Sequence, residues 1–167
     1  MLPPPDSRLR FREMTLADIE VMSSMLGDPA VMRYYPAPKT RSEALAWIEW
    51  NQTNYAHDGF GLWIVETHDG GFVGDCGLTR QQVNGRSELE VGYHVRRDLQ
   101  GGHGYGTEAA LACLELARDV LRVGRLVAII HPDNVASRRV AERLGMRQLE
   151  DDLGGALVRT VMGVEFG

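Results

Sequence analysis

The sequence predicts an α/β domain in which an antiparallel meander of strands is flanked by helices. Three observations predict this class. Runs of apolar and β-forming residues are separated by the turn signals HDGG and NGR, which favour β-hairpins. Two patterns typical of helix starts precede these strands. A glycine-rich stretch and a long apolar helical run follow them.

The first elements are a strand and two helices. LRFREM (9–14) alternates apolar and charged residues, as a half-buried strand does. Thr15 can cap a helix that runs to about residue 26. Thr40 and Glu43 have the spacing of a capping box, which predicts a second helix over 40–57.

Three consecutive strands make up the predicted meander. They are GLWIVET (61–67), GFVGDCGLTRQ (71–81) and SELEVGYHV (87–95). The turn residues between them are the Gly and Asn types that hairpin turns require. We therefore expect each strand to pair with the next one along the chain.

The second half of the chain alternates helices and strands. A helix is predicted from about Thr107 to about Arg122, with Gly124 at its C′ position. RLVAII (125–130) has the composition of a buried strand. The remaining elements are a short helix that ends at Gly145 and two final strands, RQLED (147–151) and ALVRTVMGVEF (156–166).

Composition limits the class of protein. The chain has 167 residues and a formal net charge of −5, which suits one globular domain over 1–167 with residues 1–8 as a loose tail. An acidic chain does not favour binding to nucleic acid or to anionic membranes. The sequence shows no membrane-spanning run and no signal peptide. With Cys76 and Cys113 interpreted as buried reduced thiols, we expect a cytoplasmic protein.

The stretch LQGGHGYGTEA (99–109) predicts a phosphate-binding loop. Glycine allows positive φ and close approach of a ligand to the backbone, and the start of a helix attracts anions. The dinucleotide pattern G-x-G-x-x-G fails, because Thr107 stands where its third glycine should be. The Walker A pattern fails at the same residue, which should be lysine. A plain glycine-rich turn remains the structural alternative.

Two linked motifs carry a family resemblance. LEVGYHVRRDLQGGHGYGTEA is followed about 30 residues later by HPDNVASRRVAERLGMR, and DPAVMRYY precedes both. These segments occur in the order typical of one family. The chain resembles the GNAT superfamily of acyl-CoA-dependent N-acetyltransferases, and within it the RimJ/RimL-like branch, whose namesakes acetylate the N-termini of ribosomal proteins. The resemblance covers nearly the whole chain. It implies a mixed, mainly antiparallel seven-strand sheet flanked by about four helices.

The resemblance also implies a coenzyme A site. It suggests that main-chain N–H groups bind the pyrophosphate, that the strand before the loop pairs with the pantetheine arm, and that the helix after Asn134 contacts that arm. The implied cofactor-binding residues are His94, Val95, Gly102, His103, Gly104, Tyr105, Gly106, Thr107, Asn134 and Ser137. The chain departs from the family pattern at Gly101, which stands where the loop usually has Gln or Arg. No metal is expected.

Glu90 and Ser137 are the predicted catalytic residues. Glu90 lies on the strand that lines the family's acceptor cleft, and a carboxylate there can act as a general base through water. Many superfamily members have a tyrosine acid seven residues after the asparagine, but this chain has Ala141 there. A thiolate leaves without full protonation, so Ser137 or water is expected to serve. The alternatives are a solvated glutamate at position 90 and an asparagine that only caps a helix.

The sequence predicts an acetyltransferase that acts on a primary amine, with a peptide N-terminus as the first choice. Asp75, Glu88 and Glu90 are candidate attractors of a cationic acceptor. Five arginines near the two motifs suit coenzyme A phosphates: Arg96, Arg97, Arg138, Arg139 and Arg143. A small-molecule amine acceptor and a non-catalytic acyl-CoA-binding module remain open. The pattern predicts no oligomeric state.

Overall fold

The chain forms one seven-strand sheet with helices on both faces. The computed structural model describes residues 1–6 and 8–167. The strands are β1 (Leu9–Arg12), β2 (Leu62–Thr67), β3 (Phe72–Val83), β4 (Arg86–Val95), β5 (Arg125–Ile130), β6 (Arg147–Asp152) and β7 (Arg159–Glu165). The helices are α1 (Ile19–Leu26), α2 (Arg41–Asp58), α3 (Tyr105–Glu115) and α4 (Val135–Arg143).

The sheet order is β1-β2-β3-β4-β5-β7-β6. Within the described residues, β4 and β5 form the one parallel pair, and the other neighbours are antiparallel. This confirms the predicted mixed, mainly antiparallel seven-strand sheet with four helices. The register between β4 and β5 contains a single residue pair, Glu90 with Val127. The two strands therefore separate beyond Glu90, and a cleft opens between their C-terminal halves.

Alternation along the strands buries both faces of the sheet, since successive side chains of a strand point to opposite faces. Leu62 and Ile64 of β2 belong to the apolar cluster that includes α1 and α2. Trp63 and Val65 belong to the larger cluster that includes α3 and its continuation. Apolar clusters therefore pack on both faces of the sheet, and β4 lies between β3 and the cleft.

Local signals set most element boundaries. Thr40 and Glu43 form the predicted capping box, with Thr40 Oγ1 accepting from the Glu43 amide at 3.1 Å. Asn84 and Gly85 both have positive φ, as the predicted hairpin turn requires. Gly145 has φ +85° and ends α4 as predicted.

Three predicted boundaries differ from the structure. The helix after the glycine loop begins at Tyr105 rather than Thr107, and it continues beyond Glu115 as a π-helical segment, Leu116–Val120. The backbone reversal after it falls on Arg122, with φ +52°, and not on Gly124. The last strand begins at Arg159 rather than residue 156.

The segment predicted as a loose tail makes contacts. Pro3 is buried, and Asp6 Oδ1 accepts from the amides of Arg8 and Leu9 at 2.8 and 2.6 Å. Ser7, which belongs to the same prediction, lies outside the described residues. No helix in the described part of the chain combines the length and the apolar character needed to cross a membrane.

Candidate active site

The cleft between β4 and β5 has two connected compartments. One, of about 340 Å³, contains Glu90 and is called here the acceptor compartment. The other, of about 540 Å³, contains the glycine loop and is called the loop compartment. Six residues line both: Tyr34, Tyr35, Tyr93, Asn134, Ser137 and Val140. This shared wall is where a donor in one compartment and an acceptor in the other would meet.

The glycine loop forms a main-chain cradle. Gly101, Gly102 and Gly104 have φ between +68° and +75°, a conformation that side chains with a Cβ rarely adopt. Gly104 is the N-cap of α3, and no side chain caps the helix there. The first N–H groups of α3 therefore remain available to an anion, and the helix dipole adds to their attraction.

Gly106 is needed for a different reason. A Cβ at this position would lie 3.3 Å from the Tyr93 ring, which is tighter than ordinary packing. The absence of a side chain lets the first turn of α3 approach β4 closely. The predicted loop residues Gly102, Gly104, Tyr105, Gly106 and Thr107 all line the loop compartment.

His103 is the predicted loop residue that the compartment does not include. Its amide N–H donates to the Gly101 carbonyl at 2.8 Å, which closes a turn inside the loop. Its carbonyl accepts from Arg8 Nη2 at 2.8 Å. The His103 N–H is therefore engaged inside the loop, and its predicted contact with a ligand stays a prediction.

Arg8 holds the outer side of the loop. Its guanidinium donates to Glu108 Oε1 from Nε at 2.7 Å and lies 4.7 Å from the centre of the Tyr105 ring. Glu108 belongs to the first turn of α3. This contact fixes the end of the helix that carries the uncapped N–H groups.

Positive charge in the loop compartment comes from Arg33, Arg139 and Arg143. Arg139 and Arg143 are two of the five predicted arginines, whereas Arg33 lies far from both motifs and was not predicted. The other three predicted arginines are engaged elsewhere. Arg96 pairs with Asp98, Arg97 with Asp28 and Arg138 with Glu142.

Glu90 is the carboxylate of the acceptor compartment. Burial raises its pKa to about 8, and the charge of Arg159 opposes that shift. Arg159 also lines this compartment, but Asp152 accepts from its Nη2 at 2.5 Å. The pKa of Glu90 is therefore close to neutral pH, so its carboxyl group can exchange a proton there.

The other two predicted attractors of a cation are engaged in contacts of their own. Asp75 is 1% exposed and bonded within the sheet. Glu88 forms ion pairs with Arg86 and Arg125. Of the three acidic candidates, Glu90 alone lines the acceptor compartment.

Asn134 acts as a helix cap and also lies on the shared wall. Its Oδ1 accepts from the Ser137 amide at 3.1 Å, which is the capping geometry expected of an asparagine before a helix. The Tyr93 hydroxyl donates to Ser137 Oγ at 3.1 Å, and burial raises the pKa of Tyr93 to about 12. Two linked hydroxyls therefore line the junction of the compartments. The sequence motifs gave no signal for Tyr93.

The main chain at the end of β4 has hydrogen-bond partners within the protein. The amide N–H of His94 donates to Asp75 Oδ1 at 2.9 Å. The carbonyl of Val95 accepts from Gln100 Nε2 at 2.8 Å. Both residues line the loop compartment, and their pairing with the pantetheine arm stays a prediction. Gln100, one residue before the expected Gln/Arg position, contacts the strand instead.

A hydrogen-bonded chain runs from the core to the shared wall. Asp75 accepts from the indole Nε1 of Trp47 at 3.1 Å and faces His94 Nδ1 at 2.8 Å. His94 Nε2 lies 2.9 Å from the Tyr35 hydroxyl. Tyr35 is in an irregular segment, so no periodicity marked it. Among the described residues, no group of three or more His, Cys, Asp and Glu side chains could hold a metal ion.

Comparison with known proteins connects this geometry to a family. The model of a GNAT acetyltransferase domain matches residues 8–147. The uncharacterized protein YkkB of Bacillus subtilis is 40% identical over 83% of this chain and 81% of its own length. An acetyltransferase structure from Agrobacterium tumefaciens has a TM-score of 0.83 at 22% identity, covering 98% of this chain and 94% of that one. RimL, a ribosomal alpha-N-protein acetyltransferase in complex with coenzyme A, has a TM-score of 0.79 at 13% identity over 99% and 98%.

Proposed function

This chain belongs to the GNAT family of acetyltransferases, and we propose that it transfers the acetyl group of acetyl-CoA to the α-amine of a peptide or protein N-terminus. The amine attacks directly while both substrates are bound. We include in the proposal that residues 1–167 form one catalytic domain of the RimJ/RimL-like kind. RimL, described as an alpha-N-protein acetyltransferase, shares this fold.

The loop compartment fits the phosphates of coenzyme A. The uncapped start of α3 and the positive φ of Gly102 and Gly104 support a pyrophosphate site on residues 102–107. Arg139 and Arg143 supply positive charge in an otherwise acidic chain. These features support acetyl-CoA as the donor.

Glu90 supports an α-amine as the acceptor and carries the proposal. Its pKa of about 8 matches that of an α-amino group, which is about 7.7–8.0, so proton transfer between them costs almost no free energy. A lysine side chain has a pKa of about 10.4, so the same transfer would cost about 3 kcal/mol. An α-amine is therefore the acceptor that this base deprotonates at the lower cost.

The leaving thiolate has two hydroxyl groups near it in this proposal. Ser137 Oγ accepts a hydrogen bond from Tyr93, which leaves its own proton free to donate. A thiol has a pKa of about 8.5, so a hydrogen bond from Ser137 is sufficient assistance. Tyr93 and Ser137 thereby assist the leaving thiolate, which is the role of the tyrosine acid that Ala141 replaces.

Direct attack is favoured over a covalent enzyme intermediate. Cys76 and Cys113 are fully buried against each other, with their Sγ atoms 3.6 Å apart. Burial raises the pKa of the Cys76 thiol, and neither cysteine lines the two compartments. A thiol in that position has neither the ionisation nor the access that a nucleophile needs.

A single peptide tests the choice of acceptor. The enzyme and acetyl-CoA are given a hexapeptide with a free N-terminus and one internal lysine, and the product is mapped by tandem mass spectrometry. We expect acetylation at the N-terminus. The matched control is the same peptide with a blocked N-terminus, which should be modified at least tenfold more slowly.

Three outcomes contradict the proposal. Modification mainly at the lysine would show that the base is not matched to an α-amine. Rapid turnover of spermidine or phenethylamine without modification of the peptide would assign a small-molecule acceptor. Coenzyme A binding without thiol release for any of these amines would indicate a non-catalytic module.

A further inference from the structure

We propose that Tyr35 is a second proton-accepting group of this active site, and that it passes a proton to His94, which Asp75 positions. This inference rests on the proposed acetyl transfer. It deepens that function by giving a role to a hydrogen-bonded chain that neither the glycine loop nor Glu90 explains.

The inner end of the chain is a carboxylate surrounded by donors. Asp75 is 1% exposed and accepts from Trp47 Nε1 through Oδ2 and from the His94 amide through Oδ1. The same Oδ1 lies 2.8 Å from His94 Nδ1. In these contacts the Asp75 carboxylate is the acceptor, and its two oxygens are both engaged.

The carboxylate fixes the tautomer of the histidine. Because Asp75 accepts at Nδ1, a neutral His94 ring carries its proton on Nδ1 and has a free lone pair on Nε2. Nε2 lies 2.9 Å from the Tyr35 hydroxyl, so that hydroxyl donates to it. His94 is 6% exposed and lines the loop compartment but not the acceptor compartment, so Tyr35 connects it to the latter.

The outer end of the chain is accessible to a ligand. Tyr35 is 47% exposed and lines both the acceptor and the loop compartments. Burial raises the pKa of Tyr35 above its ordinary value, so the phenol stays protonated. Such a hydroxyl can accept a proton on oxygen only as it releases its own proton to His94.

The chemistry of the reaction requires two proton acceptors. An ammonium acceptor loses two N–H protons in becoming an amide, and Glu90 suits the first because it lies within the acceptor compartment. In the second step the nitrogen has formed its C–N bond to the acetyl carbon and still carries an excess proton. That N–H bond breaks, an O–H bond forms on Tyr35, and the original Tyr35 proton moves to His94 Nε2.

The proton balance closes when the C–S bond breaks. The thiolate takes one proton, which returns from His94 through Tyr35, and the proton taken by Glu90 goes to water. The imidazolium formed in between lies beside the Asp75 carboxylate, which stabilises its charge. Tyr35 is thus a catalytic residue in this proposal, and His94 and Asp75 are positioning residues.

A mutant cycle tests the chain with wild-type enzyme, Tyr35→Phe, His94→Gln and the double variant. Thiol release is measured with acetyl-CoA and whichever of the hexapeptide, spermidine or phenethylamine the wild type uses fastest. Groups acting in series are strongly non-additive. We expect each single change to lower kcat about 100-fold and the double change to lower it no further, with KM for acetyl-CoA within about twofold.

The reference is the wild-type enzyme, because every residue adjacent to Tyr35 on this wall belongs to the proposed site. If kcat of Tyr35→Phe is within threefold of the wild-type value, the relay is wrong while the proposed function stands. Losses that multiply in the double variant would also overturn it, because independent structural effects are additive in free energy. Should His94→Gln fail to fold, Tyr35→Phe decides alone. A wild-type enzyme inactive with all three amines would instead contradict the proposed function.

Discussion

Replacing Glu90 with glutamine should stabilise the protein while it slows the reaction. The pKa of Glu90 rises from an ordinary value of 4.5 to about 8 on burial. Between these values the folded state keeps a proton that the unfolded state has lost, so the free energy of unfolding falls as pH rises. At pH 7 the full effect would be about 1.36 kcal/mol for each of about 2.5 pH units, or about 3 kcal/mol.

Water in the open cleft reduces this effect. Part of the Glu90 surface is exposed, so we expect the substitution to raise the free energy of unfolding by about 1–2 kcal/mol at pH 7–8. Glutamine has the shape of the protonated acid and carries no such penalty. The melting temperature of Glu90→Gln should exceed that of the wild type by about 2–8 °C, given about 2–4 °C per kcal/mol for a domain of this size.

The assay is denaturant unfolding of both proteins at pH 5 and pH 8, paired with kcat measured between pH 6 and 9. The stability difference should be small at pH 5 and larger at pH 8. Wild-type kcat should rise with pH up to about 8, because the base must be deprotonated. The glutamine variant should be slower by about 10²- to 10⁴-fold, the range typical of general base catalysis.

Glu88→Gln is the matched control, since this residue is two positions away on the same strand but is paired with Arg86 and Arg125. Its neutralisation should not raise stability at pH 8. A Glu90→Gln variant no more stable than the wild type at pH 8 would refute the buried-carboxyl reasoning. A decrease in kcat of less than about threefold would refute the assignment of Glu90 as the base.

Two further predictions concern the loop compartment. Gly104→Val should abolish coenzyme A binding measured by calorimetry. It should also cost about 1–2 kcal/mol of stability, because φ is +75° there. The control Gly59→Val, with φ +78° and open space around it, should show the same strain but keep full affinity for coenzyme A. Neutralising Arg139 and Arg143 to glutamine should weaken coenzyme A binding about 5- to 30-fold, whereas Arg138→Gln, whose guanidinium pairs with Glu142, should change it less than twofold. Retained affinity for coenzyme A in Gly104→Val or in the Arg139 and Arg143 variant would contradict the assignment of this compartment to coenzyme A. An equal loss of affinity in the corresponding control would contradict it as well.

The geometry of the glycine loop, the proposed donor side of the site, was largely predictable from the sequence because the main chain builds it. A main-chain cradle needs glycine where φ is positive, so Gly102 and Gly104 mark it directly in the sequence. A helix must follow at once to supply its N–H groups, and α3 begins at Tyr105. Such a site occupies one contiguous stretch, and a motif can describe it.

Other parts of the fold depended on long-range contacts. The π-helical segment after α3 and the reversal at Arg122 replace the simple helix end that Gly124 suggested, because tertiary packing overrides a local stop signal. The amide of His94 is used by Asp75, a residue 19 positions earlier in the chain. Neither feature leaves a local trace in residue spacing.

The acceptor side is built from side chains that the sheet register brings together. The pairing of β3 with β4 places Asp75 directly opposite His94, and the loop before α2 adds Tyr35 to the same chain. Glu90 enters the cleft because β4 and β5 separate immediately beyond its pairing with Val127. Each of these residues has an ordinary structural interpretation when read alone. The proposed proton path depends on this juxtaposition, so we expect a different side chain at any one of them to change the acceptor or its proton path while the glycine loop stays the same.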